Sequence, residues 1–420
     1  MFAFVPPRPL PLGADAPAAQ RIGGTMEPKP FGTAPDTREG RIRRRAWRFA
    51  LPLVRFFLRR KYNYVCTPLE LEGPFLLIAN HANNADPLFI SQACPQRPLT
   101  YVASEHLERL GLVTGLLTRY FSIIPRKKAS SAVGTVRAIL TALRRGESVV
   151  LFAEGDCTWD GVSAPIFPAT GKLARSAGVP LVTYRLEGNY LSCPRWAKTG
   201  RRGRCVGAPV GIYSPRELAS MKPEQVTAAI DRDIFEDAWQ TQKRVGVDFR
   251  CRAPALGLER ALFLCPDCGA AGGLRTRGRE IFCTGCGMHA RLDRQGFFQS
   301  GPYPDILAWD RWQKERFAHL ITEGQGGHLF PGEGRLTDLG ENSPRRVRFC
   351  LDAETGSLLL DGESLRLEEI SEMAMVKTDR LLFSAGGRYY ELRSKRAILR
   401  PYLLAWQTIR ANLNHMEEKP

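Results

Sequence analysis

The sequence lacks a long apolar run, which limits how the chain can meet a membrane. No stretch of about 18 uncharged apolar residues occurs, so we predict no transmembrane helix. A secretory signal is not expected either, because Pro6, Pro7, Pro9 and Pro11 interrupt the place where its apolar core would stand. Export is therefore not expected, and we predict a cytoplasmic protein.

Acidic residues are scarce relative to basic ones. The chain has 43 Asp and Glu against 60 Lys and Arg, a net charge of +17. Such an excess of positive charge favours a polyanionic partner. An anionic lipid surface and a nucleic acid both fit, and charge alone does not choose between them.

The cysteines do not form a disulfide pattern. Their number is odd, eleven, and four of them stand in two C-x-x-C pairs. This usage indicates a reduced compartment and a metal site.

The length of 420 residues predicts more than one domain. Residues 1–40 are rich in Pro, Gly and Ala and are predicted to be disordered. Residues 41–250 alternate short apolar runs with helical patterns, which predicts an α/β domain with a mostly parallel sheet flanked by helices. Residues 251–295 hold the cysteine pairs, and residues 296–420 read as a small β domain with a C-terminal helix.

Short apolar runs mark the predicted strands of both larger domains. In the α/β domain these are Phe75–Ala79, Leu99–Ala103, Ser122–Ile124, Ser148–Phe152 and Pro180–Tyr184. In the last domain they are Val347–Leu351, Ser357–Leu360, Ser364–Leu367, Leu381–Ser384 and Tyr389–Leu392. Ser394 is predicted to cap the final amphipathic helix. Strands followed by one terminal helix resemble a pleckstrin-homology-like module.

Residues 41–61 interleave arginines with aromatic and aliphatic side chains. This composition predicts a peripheral segment lying in the interface of an anionic bilayer. The alternative is an ordinary first helix that packs on the core and is kinked at Pro52. Both descriptions can hold together.

The first candidate site motif is a histidine with an aspartate five residues on. His81 follows a predicted strand, and Asp86 precedes Pro87 at a predicted helix start. Open α/β sheets place ligands at the carboxyl ends of their strands, so His81 could act as a base that Asp86 orients. Asp86 alone could also be an ordinary helix cap.

Two further motifs follow strands in the same way. Arg126 begins a run of three cations, which reads either as a phosphate contact or as a solvated basic loop. Glu154 could hold a hydroxyl, and Gly155 would let the backbone turn tightly beside it.

In this order, and with the block Phe167–Thr183 behind them, the motifs resemble the glycerophospholipid acyltransferase family. The resemblance covers about residues 45–250 and implies transfer of a fatty acyl group from a thioester to the hydroxyl of a lysolipid. It implies His81 as base, Asp86 as its partner, and Arg126, Glu154 and Gly155 as substrate-binding residues. The donor would be acyl-CoA or an acyl-carrier protein.

The chain departs from the family pattern just after Gly155. Asp156 and Cys157 stand where the family has threonine and arginine, and that arginine helps to grip the acceptor phosphate. An aspartate there would repel the phosphate. Cys157 suggests a covalent route, which we do not favour from sequence because no residue is seen to pair it with His81.

The cysteine pairs predict a structural zinc site. Cys265 and Cys268 are separated from Cys283 and Cys286 by fourteen residues, which resembles a zinc ribbon. His289 is expected to lie on the surface. Arg275, Arg277 and Arg279 leave nucleic-acid binding open, but a staple between domains is favoured. Two functions thus remain: an acyltransferase, or a catalytically weak relative that binds lipid or nucleic acid.

Overall fold

The computed structural model describes residues 38–104, 122–126 and 132–417. The predicted disordered segment 1–40 lies outside these residues except for its last three, which begin a helix. That helix, α1 (Arg38–Tyr62), contains Pro52. Within the described ranges, no helix is both long and apolar enough to cross a membrane.

The described part of the α/β region is built on a seven-stranded sheet. Its strands are β1 (Tyr64–Cys66), β2 (Leu76–Ala79), β3 (Thr100–Ser104), β4 (Ser122–Arg126), β5 (Val149–Phe152), β6 (Leu181–Glu187) and β7 (Cys205–Tyr213). The order across the sheet is β1-β7-β6-β2-β5-β3-β4. From β6 to β4 all neighbours are parallel, and β7 runs antiparallel to β6. The parallel α/β prediction is therefore confirmed, and its five strands match β2 to β6.

Helices flank this sheet and cover its two faces. They are α2 (Asp86–Ser91), α3 (Ala132–Arg144), α4 (Thr170–Ser176), α5 (Asn189–Ser192), α6 (Pro215–Ser220), α7 (Pro223–Ile234) and α8 (Ala238–Val245). The central strand β2 is buried at every position. Its successive side chains enter two apolar clusters, one on each face of the sheet, as a strand covered on both sides requires.

The outer surface of α1 carries a second apolar stripe. Trp47, Leu51, Leu58 and Tyr62 are buried at helical spacing and face the protein. On the other side, Phe49, Leu53 and Phe56 are 81%, 71% and 70% exposed. We call these three residues, with the exposed Arg48, Arg55 and Arg59 beside them, the outer face of α1. One side of α1 therefore packs on the core, and the other side has the exposed apolar and basic residues expected of an interfacial segment.

A small antiparallel sheet follows, made of β8 (Leu274–Arg277), β9 (Glu280–Cys283) and β10 (His289–Arg291). Its buried side chains join a core cluster of the α/β region. Leu262 shares a buried cluster with Trp196 and Trp239 of the α/β region. The adjacent Phe263 joins the core of the C-terminal sheet.

The C-terminal region is an antiparallel sheet with one helix before it and one after it. The helices are α9 (Ile306–Thr322) and α10 (Arg400–Glu417). The strands are β11 (His328–Asp338), β12 (Ser343–Asp352), β13 (Ser357–Leu360), β14 (Glu363–Arg366), β15 (Glu372–Val376), β16 (Arg380–Ala385) and β17 (Arg388–Arg393). Two meanders, β11 to β14 and β15 to β17, join through β11 and β17. The domain boundaries and the pleckstrin-homology-like assignment remain predictions.

The predicted cap of the last helix was wrong. α10 begins at Arg400, six residues after Ser394. The Ser394 hydroxyl instead donates to the Glu333 carbonyl at 2.7 Å and accepts the Ala397 N–H at 3.1 Å. Ser394 therefore anchors a turn on β11, because its side chain finds partners before the helix starts.

Candidate active site and four-cysteine cluster

His81 and Asp86 meet just beyond the carboxyl end of β2. The Nδ1 atom of His81 lies 2.9 Å from Oδ2 of Asp86, so the predicted contact is confirmed. The same Oδ2 accepts the backbone N–H groups of Ala82 and Asn83 at 2.7 and 2.9 Å. Asp86 is the first residue of α2, but its carboxylate points back at the loop that carries His81. Its role is therefore more than that of a helix cap.

Asp86 is completely buried, and a residue that the sequence reasoning missed completes its environment. The Nδ2 group of Asn189 donates to Oδ1 of Asp86 at 2.9 Å. The backbone carbonyl of Asn189 in turn accepts a hydrogen bond from Nδ2 of Asn83 at 3.0 Å. Each of these contacts donates a hydrogen bond to the carboxylate, and together they offset the free-energy cost of burying its charge.

The imidazole of His81 is held flat and stays partly open. It stacks on Phe152 with ring centroids 4.2 Å apart, and its side chain is 17% exposed. A small cavity beside it is lined in part by Ser163, Tyr190 and Glu236. Burial alone would lower the pKa of His81, but Cys157 and Asp86 raise it well above 6.5.

Glu154 supports His81 through the backbone. Its Oε1 accepts the His81 N–H and its Oε2 accepts the Ala164 N–H, both at 2.8 Å. Burial raises the pKa of Glu154 to about 7, although both N–H contacts oppose that shift. Gly155 turns the chain beside it with φ +79°. The roles of Glu154 and Gly155 in substrate binding remain predictions.

Arg126 lies at the edge of the same sheet. It is the last residue of β4, paired in register with Ser104 of β3. Its side chain lies outside the part of the chain that the structure describes, so its predicted phosphate contact remains a prediction.

Cys157 faces the ring nitrogen that Asp86 leaves available. Its Sγ lies 3.3 Å from Nε2 of His81 and 3.9 Å from Oδ1 of Asn84. The sequence argument that nothing pairs Cys157 with His81 was therefore wrong. The two residues are 76 positions apart, and only the packing of the β5 loop against the β2 loop brings them together.

Asp156 is not the free negative charge that the sequence suggested. Nη1 of Arg195 lies 2.7 Å from its Oδ2 and also donates to the Cys157 carbonyl at 3.0 Å. The guanidinium lies over Trp159, 4.3 Å from the ring centroid. Arg195 therefore lies beside Asp156 and Cys157, the positions where the family has threonine and arginine. Its positive charge offsets the repulsion expected between Asp156 and an acceptor phosphate.

The C-terminal region holds the loop that follows β5. Nζ of Lys314 on α9 lies 2.9 Å from the Asp160 carboxylate. Nη2 of Arg195 donates to the Lys377 carbonyl at 3.1 Å, just after β15. The guanidinium of Arg400, on α10, also lies over the Trp159 ring, 4.8 Å from its centroid. No sequence pattern predicted these contacts, because each joins residues more than 150 positions apart or depends on how the regions pack.

The four predicted metal ligands converge. Their sulfurs all lie within 4.8 Å of one another, with 3.6 Å between Cys265 and Cys286 and 3.8 Å between Cys268 and Cys283. Four thiolates at about 2.3 Å from a central zinc would be about 3.8 Å apart. Gly269 and Gly287 donate to the first cysteine carbonyl of each knuckle at 2.9 and 3.1 Å. The cluster therefore fits a tetrahedral metal ion.

The residues around this cluster favour a structural role. His289 is exposed and pairs with Glu280, away from the sulfurs. Arg275 donates to the Gly272 carbonyl at 2.8 Å, and Arg279 donates to the Leu292 carbonyl at 3.1 Å. Two of the three ribbon arginines are thus engaged with their own backbone.

Comparisons with known proteins find the following similarities. Residues 59–187 match the family model described as acyltransferase. A probable 1-acyl-sn-glycerol-3-phosphate acyltransferase of Mycoplasma genitalium is 28% identical over 120 residues, 28% of this chain. The chain spans 45% of that curated relative. A crystal structure of the 1-acyl-sn-glycerophosphate acyltransferase from Thermotoga maritima aligns over 46% of this chain and 82% of its own, with 19% identity and a TM-score of 0.38. His81, Asp86 and Glu154 all lie within the segment 59–187 that matches the acyltransferase model.

Proposed function

We propose that this protein transfers a fatty acyl group from an acyl thioester to the hydroxyl of a lysophospholipid. The observation that carries the proposal is the His81–Asp86 pair, held by backbone and side-chain donors within the family-matched segment. An intact and supported pair favours catalysis over a fold kept only for binding. The donor is acyl-CoA or an acyl-carrier protein.

His81 acts as the base of the transfer. Its Nε2 removes the proton from the acceptor hydroxyl as the oxygen attacks the thioester carbonyl, a contribution of about 10²–10⁴-fold. Asp86 fixes the tautomer through Nδ1 and stabilises the imidazolium that forms. Glu154 keeps the loop of His81 in place through the backbone N–H.

A phosphate-bearing acceptor suits the charges near the site. The ion pair with Arg195 offsets Asp156, which is the residue that otherwise argues against a lysophosphatidate. Arg126 ends a strand on the same edge of the sheet and is the second cation proposed for the headgroup.

The outer face of α1 provides the proposed contact with an anionic membrane. Three exposed apolar side chains could enter the headgroup region while the arginines beside them meet lipid phosphates. This arrangement would bring the protein to substrates whose acyl chains lie in a bilayer. The four-cysteine cluster is proposed to hold a structural zinc ion that ties the α/β region to the C-terminal sheet.

The proposal is tested by incubating the purified protein with labelled acyl-CoA or acyl-carrier protein and a panel of lysophospholipids. We expect a diacyl product with the parent chain and none with His81→Ala. His319→Ala is the matched control, because His319 is an exposed histidine on α9. If the parent transfers no acyl group to any lysophospholipid, or if His81→Ala retains the parent's rate, the proposed function is wrong.

A further inference from the structure

The thiol of Cys157 lies against Nε2 of His81, the ring nitrogen that would take a proton from the substrate. Asp86 engages Nδ1, so Nε2 is the only ring nitrogen left for proton transfer. The atom that the structure places against Nε2, at 3.3 Å, is Sγ of Cys157. Stacking on Phe152 fixes the plane of the ring and limits its escape from this contact. An acceptor hydroxyl could reach Nε2 only by displacing the thiol.

Cys157 differs in surroundings from Cys94 and Cys205, the other buried thiols outside the four-cysteine cluster. Burial raises the pKa of the Cys94 and Cys205 thiols to about 12, which keeps them protonated and unreactive. Cys157 is also buried, but its sulfur contacts the imidazole of His81 and the side chain of the exposed residue Asn84, so it lies directly beside a base. A cysteine, a histidine and a buried aspartate in line form the arrangement by which proteins activate a nucleophile.

We propose that Cys157 is a nucleophile and carries the acyl group as a thioester before the acceptor receives it. This inference rests on the proposed function and adds a covalent step to it. In the first half-reaction, Nε2 of His81 takes the proton of the Cys157 thiol. The sulfur attacks the donor carbonyl, the new carbon–sulfur bond forms, and the donor thiolate leaves and takes the proton from the imidazolium.

The second half-reaction returns the enzyme to its starting state. Acylation replaces the thiol proton that faced Nε2 by the acyl group, so the neutral ring can now accept the proton of the acceptor hydroxyl. The oxygen attacks the Cys157 thioester and forms the ester bond. The carbon–sulfur bond breaks, and the imidazolium returns its proton to the Cys157 thiolate. One thioester is exchanged for another before the ester forms, so the step needs no further reactant.

The acyl-enzyme can be trapped by omitting the acceptor. The full chain is mixed with labelled acyl-CoA, and in parallel with labelled acyl-carrier protein, and is quenched in acid. We expect up to one acyl group per chain, released by neutral hydroxylamine and located on Cys157 by mass spectrometry, with a matching burst of free donor thiol. Cys157→Ala should show neither label nor burst. Cys66→Ala, in β1 and outside the site, should behave as the parent.

Rates with acceptor present separate this inference from the proposed function. We expect ping-pong kinetics for the parent and loss of transfer in Cys157→Ala, with unchanged thermal unfolding showing that the variant is folded. A parent chain that makes diacyl product while Cys157→Ala matches its rate overturns the thioester intermediate and leaves the proposed function standing. A labelled Cys157 with no product from any lysophospholipid supports the intermediate and overturns the proposed acceptor class.

Discussion

Replacing Asp86 by Asn tests how much the buried carboxylate contributes to the work of His81. The side-chain oxygen of Asn can still accept from Nδ1 of His81 and from the backbone of Ala82, so the tautomer is kept. The new amide group would face the Nδ2 group of Asn189. The Oδ1 atom of Asn189 is buried with no hydrogen-bond partner among the described residues, so a flip of that amide restores a matched pair.

The expected loss follows from the change in charge. A hydrogen bond to a charged group contributes about 1.5–3 kcal/mol and a neutral one about 0.5–1.5, a difference of roughly 1–2 kcal/mol. If the imidazolium forms in the transition state, this difference lowers kcat by about 5- to 30-fold. Asp86→Ala is a harsher control. It leaves four N–H donors without their acceptor, at about 1–3 kcal/mol each, and should lower the free energy of unfolding severely.

The pH dependence of kcat/KM tests directly whether the Asp86 charge raises the pKa of His81. Burial alone lowers the pKa of His81, and Cys157 and Asp86 raise it well above 6.5. Only the neutral ring can accept the acceptor's proton, so kcat/KM for the acceptor should fall as pH drops through this pKa. Without the Asp86 charge the pKa of His81 falls, and the acid limb should move to lower pH. An unmoved limb, or an Asp86→Asn variant as active as the parent at every pH, would refute the reasoning.

Three further predictions concern other parts of the molecule. Changing Arg48, Arg55 and Arg59 to Ala should weaken binding to anionic liposomes by roughly 100-fold, at about 1 kcal/mol per cation; sedimentation equal to the parent's, or binding that ignores salt, would remove the outer face of α1 from the proposal. Metal analysis should find one zinc per chain, and chelation should lower the melting temperature; a reduced, metal-free chain with the same melting temperature would contradict a structural zinc site. Arg400→Met should cost about 3–5 kcal/mol in denaturant unfolding, because it removes the buried partner of Asp310. Burial opposes ionisation of Asp310, but Arg400 and Lys314 lower its pKa to about 2, so this pair's contribution is present above pH 3.8 and is lost as pH falls through about 2. A variant that unfolds like the parent at neutral pH would show that the pair adds no stability.

Local patterns in the sequence predicted most of the α/β framework. The strands β2 to β6 are short apolar runs that need burial on both faces, and such runs are visible without any tertiary information. The strands β1 and β7 were missed. They lie at one side of the sheet, and β7 is buried at only some positions, so its pattern is weaker.

The metal ligands were also predictable, since the two C-x-x-C pairs fix each knuckle locally and one β-hairpin joins them. The contact between His81 and Asp86 was predictable for the same reason, because five residues separate them. The turn at Gly155 belongs to this group as well.

The identity of the group facing Nε2 of His81 was decided by tertiary structure alone. Cys157, Asn189 and Arg195 reach the site from distant positions in the chain. Taken singly, a cysteine after a turn, a buried asparagine and an arginine before a tryptophan carry no distinctive pattern. Their chemistry arises from neighbours that the sheet order supplies, because parallel strands bring the loops after β2, β5 and β6 to one edge. The sequence by itself determined which side chains could do chemistry, and packing determined which of them meet.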